Sequence, residues 1–172
     1  MFYDIYGLSR KRDAATIERF LQHFCYRDQV EPLVDQWLQV WVKGTGFLDE
    51  VERPLTTVDE IVTYAIQHPT HCFVWYQQLA LRGDIKSVIL KFTYDGQIVF
   101  GISLAEAQAN GTDNFAWALQ IEATIRQLTE THKHYIAVEY PPADDEQEFD
   151  TDVVMWQQIR DELSRLNRNS AS

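Results

Sequence analysis

The stretch of sequence that decides the fold lies between Lys86 and Leu104 and reads KSVILKFTYDGQIVFGISL. Two runs rich in β-branched and aromatic residues flank Asp95-Gly96, a dipeptide that is typical of a two-residue hairpin turn. A loop of two residues would pair Phe92 with Val99. The sequence therefore predicts a β-hairpin whose strands run through both halves of this stretch.

Both faces of the predicted hairpin are apolar. One face carries Val88, Leu90, Phe92 and Val99, and the other carries Ile89, Ile98, Phe100, Ile102 and Leu104. An apolar sheet face has to be covered, so the hairpin predicts a layer on each side of the sheet. Helices or long loops on both faces are the favoured cover, and a partner molecule on one face is the alternative.

The segments that precede the hairpin predict a strand and two capped helices. Phe2 to Leu8 has the composition of a strand. Asp13 is a helix N-cap, because the residues that follow it are apolar at helical spacing: Ile17, Phe20, Leu21 and Phe24. Thr57 and Glu60 form a capping box for a second helix, which ends before His68-Pro69. Between these helices, Val30 to Val42 fits either a helix or a strand, and the helix is favoured.

The remaining segments add two strands and two helices. Cys72 to Ala80 and Tyr135 to Tyr140 predict strands, and a helix with Trp117, Ile121, Ile125 and Leu128 on one face lies between them. The last helix carries Trp156, Ile159, Leu163 and Leu166. Together these elements predict an α+β fold in a single domain, residues 1–172, frayed at about 169–172. Its sheet is antiparallel or mixed, with about five strands, a central three-strand meander and three to four helices.

Composition narrows the classes of partner. The chain has 26 acidic and 15 basic residues among 172, a formal charge of −11. This charge repels nucleic acid and anionic membranes, and it attracts a basic protein. Two cysteines suggest no disulfide framework, and no secretion signal or membrane span is evident, which favours a cytoplasmic protein. A homodimer is compatible with these features.

Two pairs of residues are candidates for a metal site. His71 and Cys72 open one predicted strand, and His132 and His134 lie at the start of another. If these strands were neighbours, the four side chains could approach one ion. The spacings match no recognised zinc motif, so the expectation is no metal and no cofactor.

A basic triplet and an acidic run are candidates for other ligands. Arg10, Lys11 and Arg12 precede a helix N-terminus, where an anion could bind. The acidic run spans 144–152 and lacks the pattern of a calcium loop. We expect it to be a solvated loop that caps the last helix, or a contact for a basic partner through Asp144, Asp145, Glu146, Glu148 and Phe149.

The sequence contains no motif of nucleophilic catalysis. Glu139, at the end of a predicted strand, is the one carboxylate that occupies a position typical of active sites. The leading hypothesis is therefore a non-enzymatic interaction or regulatory protein, for example of the inhibitor or immunity type. The alternative is a small metal- or ligand-binding enzyme that uses the His/Cys group or Glu139.

Overall fold

The computed structural model describes residues 1–30, 40–42, 46–48, 55, 57–78, 81–108 and 111–170. Its strands are β1 (Phe2–Ser9), β2 (Val40–Val42), β3 (Gly46–Leu48), β4 (His71–Gln77), β5 (Ile85–Phe92), β6 (Ile98–Ala105) and β7 (Lys133–Val138). Its α-helices are α1 (Ala14–Phe24), α2 (Val58–Gln67), α3 (Phe115–Thr129) and α4 (Glu146–Ser170), and a short 3₁₀-helix covers Arg27–Gln29.

Within the described residues, seven strands form one sheet in the order β3-β2-β4-β5-β6-β1-β7, and every neighbouring pair is antiparallel. The predicted α+β class is confirmed, with more strands than the five expected. Strands β4, β5 and β6 are consecutive in the chain and adjacent in the sheet, as expected for the central meander. The first strand, β1, is inserted between β6 and β7.

Both predicted N-caps are confirmed. The Asp13 carboxylate accepts a hydrogen bond from the backbone N–H of Thr16 at 2.8 Å, which satisfies one of the free donors in the first turn of α1. At α2, Thr57 Oγ1 accepts from the N–H of Glu60 at 3.2 Å, and the Glu60 carboxylate accepts from the N–H of Thr57 at 3.3 Å. This reciprocal pair is a complete capping box.

The register of the hairpin differs from the predicted one. Phe92 pairs with Ile98, because the turn has three residues between Thr93 and Gln97 instead of two. The N–H of Gly96 donates to the Thr93 carbonyl at 3.4 Å, and Gly96 has φ +82°, the left-handed conformation that glycine adopts without strain. A shift of one residue moves a whole strand to the opposite face of the sheet.

With this register, two separate cores cover the two faces. On the first face, Val88, Leu90 and Phe92 lie with Ile98, Phe100, Ile102 and Leu104 against helices α1, α2 and α3. On the second face, Ile89 and Val99 belong to a smaller cluster that includes Phe149 of α4. The prediction that layers cover both faces of the hairpin is confirmed.

Three expected boundaries change. Val40–Val42 is strand β2, so the favoured helix is wrong there, while residues 31–39 lie outside the described part. Strand β7 begins and ends two residues earlier than expected. Helix α4 begins at Glu146, so most of the predicted acidic loop is the start of that helix, which then continues to Ser170. In the described residues, no helix is both long and apolar enough to span a membrane.

Candidate functional site

The second face of the sheet carries a group of exposed apolar side chains, Trp41, Val74 and Tyr76, which we call the aromatic face. Trp41 is 44% exposed and Tyr76 is 45% exposed, and Val74 lies partly buried between them and the core. Trp41 pairs with Cys72 across β2 and β4, so its side chain lies on the same face as Cys72, Val74 and Tyr76.

The aromatic face exists because α4 covers only part of this side of the sheet. Phe149 and Trp156 of α4 pack near Tyr135 and Tyr140, at the β7 edge. The chain between β7 and α4 extends this cover toward the centre, where Ile89 is only 1% exposed. In the described residues, the part of the face formed by β2 and β4 has no helix over it.

Acidic residues adjoin the aromatic face. The Asp144 carboxylate lies 2.5 Å from the ammonium of Lys91 and 3.5 Å from the Cys72 sulfur, which places it directly beside the strand that carries Val74. Its side chain is 49% exposed. Asp145 accepts from the N–H of Glu148 at 2.9 Å, and the Glu148 carboxylate accepts from the N–H of Asp144 at 2.6 Å. These bonds hold three carboxylates together at the start of α4.

The Cys72 thiol is not an activated nucleophile. Burial raises the pKa of Cys72 to about 12. The nearby Lys91 ammonium lowers this pKa, but its effect is smaller than that of burial. The reactive form of cysteine is the thiolate, so a thiol with this pKa stays protonated and inert at neutral pH. Cys72 therefore acts as a packed side chain beneath Asp144.

Glu146 is the centre of an ion-pair network within the chain. Its carboxylate lies 2.8 Å from Lys133 Nζ, 3.2 Å from His132 Nε2 and 3.7 Å from Arg10 Nη2. The amide of Gln97 also donates to it at 2.8 Å. Lys133, Gln97 and His132 lower the pKa of Glu146 to about 2. Glu146 is 31% exposed and has three basic partners, whereas Asp144 is 49% exposed and is paired with Lys91.

Phe149 is a core residue, so its expected role as a surface contact is wrong. Its side chain is 0% exposed and its ring lies 4.8 Å from the ring of Tyr135. The acidic run was expected to be a loop, but α4 already begins at Glu146, and helical geometry turns Phe149 toward the sheet. Asp152 is turned inward as well and accepts a hydrogen bond from the Tyr135 hydroxyl at 3.1 Å.

The structure does not bring the metal candidates together. His71 and Cys72 lie on β4, and β5, β6 and β1 separate this strand from β7, which carries His134. Four strand spacings amount to about 19 Å, far beyond the reach of one ion. His132 contacts Glu146, while His134 Nε2 lies 3.3 Å from Glu122 of α3. Among the residues described, no three His, Cys, Asp or Glu side chains lie close enough to hold a metal.

Each residue of the basic triplet contacts acceptors within the chain. Arg10 lies near Glu146, and Lys11 Nζ is 2.5 Å from Glu130 Oε1. Arg12 donates to six backbone carbonyl oxygens, those of Ala65, His68, Pro69, His71, Thr93 and Gln97. The helix N-terminus beside them is filled by the carboxylate of Asp13. The three side chains therefore diverge, and they do not converge on one anion position.

A cavity of about 400 Å³ lies at the β7 edge of the sheet, between α3 and α4. Its lining is strongly polar: Glu122, His132, Lys133, His134, Tyr135, Asp150, Val153, Gln157 and Arg160. Several of these groups bind each other, since Lys133 lies 2.5 Å from Asp150 and His134 lies 3.3 Å from Glu122. These ion pairs within the chain explain why polar residues line the cavity, and the explanation requires no ligand.

Glu139 was expected inside the strand Tyr135 to Tyr140, but it lies just after the end of β7, where its φ is +47°. Its carboxylate is 54% exposed and lies 3.5 Å from the amine of Met1.

Asp4 is a nearly buried carboxylate on β1. The Ser103 hydroxyl and the backbone N–H of Tyr140 donate hydrogen bonds to it. Burial raises the pKa of Asp4, and the charge of Glu139 contributes in the same direction.

Sequence reasoning missed the two exposed aromatic residues of this site. The alternation of Val40 and Val42 contained a signal for Trp41, because it places that side chain on the opposite face of a strand. Which face lacks a helix depends on where α4 packs, and no local pattern specifies that. Comparison of the chain with protein-family models, curated proteins and solved structures finds no match.

Proposed function

We propose that this chain is a cytoplasmic, non-enzymatic interaction protein that binds a basic protein partner through the aromatic face and the adjoining carboxylates. One observation carries this proposal: Trp41 and Tyr76 are each exposed by more than two fifths, on a part of the sheet that no described helix covers. Large aromatic side chains on the surface are typical anchors of protein interfaces.

The charge beside the aromatic face supports a basic partner. Asp144 lies at its border with its side chain 49% exposed, and the whole chain has a formal charge of −11. A net charge of this size steers a basic partner during encounter, and the aromatic side chains then supply the apolar contact.

The two buried cysteines argue against thiol catalysis. Burial raises the pKa of Cys25 to about 11 and that of Cys72 to about 12, so both thiols stay protonated at neutral pH.

The test compares two tyrosines with similar exposure. Tyr76 lies on the aromatic face and is 45% exposed, and Tyr26 lies after α1 and is 42% exposed. Tagged protein is used to capture partners from native lysate at low salt, and the affinity of the recovered protein is then measured with purified components. Truncation of an aromatic anchor costs at least about 2 kcal/mol, so Tyr76→Ser should weaken binding by roughly 30-fold.

Tyr26→Ser is the matched control and should bind like the wild type. The recovered protein should be basic, and its association should slow as salt is raised, because salt screens the steering charges. Equal affinity of Tyr76→Ser and Tyr26→Ser for the recovered protein would contradict the proposal, as would binding that salt leaves unchanged.

A further inference from the structure

A cluster of three rings lies where α2 meets β4. The rings of His68 and His71 stack with centroids 4.7 Å apart and an angle of 20° between their planes. The Tyr64 ring lies 4.4 Å from His68, and its hydroxyl is hydrogen-bonded to His71 Nδ1 at 2.8 Å. Two imidazoles in face-to-face contact are stable while they are neutral, because a charge on both rings would place like charges against each other.

The charged group nearest to this stack is also positive. Arg12 donates from Nη2 to the carbonyl oxygens of His68 and His71, at 3.1 Å and 3.3 Å. Among the residues that the structure describes, the titratable groups that face His71 are His68 and Tyr64 from the α2 end and Arg12 from the segment before α1. Strand β2 contributes Val42, which carries no charge. In the described residues, neither His68 nor His71 forms an ion pair with a carboxylate.

The histidines at the other end of the sheet have the opposite surroundings. His132 lies 3.2 Å from Glu146, and His134 lies 3.3 Å from Glu122, so a carboxylate adjoins each of these rings. At His71, burial lowers the pKa, and the neighbouring His68 and Arg12 lower it further. Protonation of His71 therefore destabilises the α2–β4 junction.

His71 is also a pairing residue for β2. It is the first residue of β4 and pairs with Val42, while the next residue, Cys72, pairs with Trp41. These two residue pairs join β2 to β4, and β2 itself has three residues. A displacement of His71 therefore acts directly on the strand that holds Trp41 in the aromatic face.

We propose that the stacked His68–His71 pair is an acid-sensitive clasp. Mild acid separates the two rings, loosens the pairing of β2 with β4 and releases Trp41 from the aromatic face. The consequence for partner binding rests on the proposed function. The structural change does not depend on any partner.

Hydrogen exchange followed by mass spectrometry tests the clasp on the full chain. Peptides that contain β2 are compared at about pH 7.5 and about pH 5.5, on either side of the ordinary histidine pKa of 6.5, after correction for the intrinsic exchange rate. Exchange in wild-type β2 should accelerate severalfold at the lower pH. Peptides from β6, in the centre of the sheet, should show no such change.

Three variants identify the groups responsible. His71→Gln and His68→Gln each remove one ring that can be protonated, and each should abolish most of the pH dependence at β2. His23→Gln changes an exposed histidine of α1 and should behave like the wild type. If one of the two clasp variants fails to fold, the other provides the measurement.

Equal pH dependence at β2 in His71→Gln, His68→Gln and the wild type would overturn the clasp. This outcome differs from failure of the proposed function, because exchange is measured without a partner. If the clasp acts on the aromatic face, acid should also weaken capture of the partner by the wild type more than by His71→Gln. Equal weakening in both proteins would contradict that connection.

Discussion

At the scale of single residues, Arg12 makes the widest set of contacts described in this chain. It joins the end of α2, the start of β4 and the turn of the hairpin, since its six carbonyl acceptors come from all three. Its guanidinium also lies 5.0 Å from the ring centre of Phe92. Burial lowers the pKa of Arg12 to about 10, so the side chain still carries its charge at neutral pH.

We expect Arg12→Met to lower the free energy of unfolding by about 2 to 4 kcal/mol, because it leaves several partly buried carbonyl oxygens without donors. Arg10→Met is the matched control: its side chain is 73% exposed and it has one distant ion pair, so we expect a change below about 0.5 kcal/mol. Urea unfolding of the two variants measures both values. Equal destabilisation would show that Arg12 is not a structural link.

The sequence could not predict this role for Arg12. The triplet Arg10-Lys11-Arg12 has the same charge at each position, and only the third residue is directed into the fold. Its acceptors lie more than 50 positions later in the chain, in segments that approach Arg12 only after the sheet has formed. Local patterns contain no information about such distant carbonyl groups.

At the scale of elements, caps and periodicity predicted α1 and α2 well, and the hairpin turn was predicted in place but with the wrong register. Asp13 and Thr57 act within four residues of themselves, which makes their signals local. The register depends on whether Tyr94 belongs to the strand or to the turn, and both assignments keep Asp95-Gly96 central. Because the strands are apolar on both faces, the hydrophobic pattern could not separate the two.

Helix α4 is the cover of the second face, and Phe149 is its anchor. Phe149→Ala should lower the free energy of unfolding by about 3 to 5 kcal/mol, the cost typical of truncating a fully buried aromatic ring. Val154 is on the same helix and 57% exposed, so Val154→Ala should change stability by less than about 0.5 kcal/mol. Chemical unfolding provides the comparison, and a small effect at Phe149 would mean that α4 contributes little to the core.

At the scale of the whole molecule, the charge of −11 is distributed in two different ways. Glu146 is paired with His132 and Lys133 near the β7 edge, while Asp144 is paired with Lys91 beside the aromatic face. Composition gave the total charge and the fold class, but the division between acids near the β7 edge and acids beside the aromatic face depends on which strands lie side by side. That division defines the candidate site.

The paired acids give stability that depends on pH. The pKa of Glu146 is about 2 in the folded chain, below its ordinary value of 4.5, because Lys133, Gln97 and His132 bind its carboxylate. The contribution of Glu146 to the free energy of unfolding is therefore fully present above pH 4.5, and it is lost as the pH falls toward about 2. We expect Glu146→Gln to unfold at a lower temperature than the wild type at neutral pH, by a margin that narrows over this interval.

Glu162→Gln is the control for that experiment, because Glu162 is exposed on α4. Its difference from the wild type should stay small and constant as the pH is lowered. The raised pKa values of Asp4 and Asp152 act in the opposite sense, because burial penalises their charged forms. The comparison therefore has to be made between variants, and a constant margin for Glu146→Gln would contradict the expected role of the network.

The position of β1 in the sheet has a consequence for the speed of folding. Tyr3 pairs with Leu104 of β6 and with Val138 of β7, so the first strand of the chain closes the sheet with partners that are synthesised much later. Contacts between such distant residues slow folding, because a long loop has to close before they form. Until β7 emerges from the ribosome, β1 exposes one edge that invites aggregation, and this interval is when a chaperone would have most to protect.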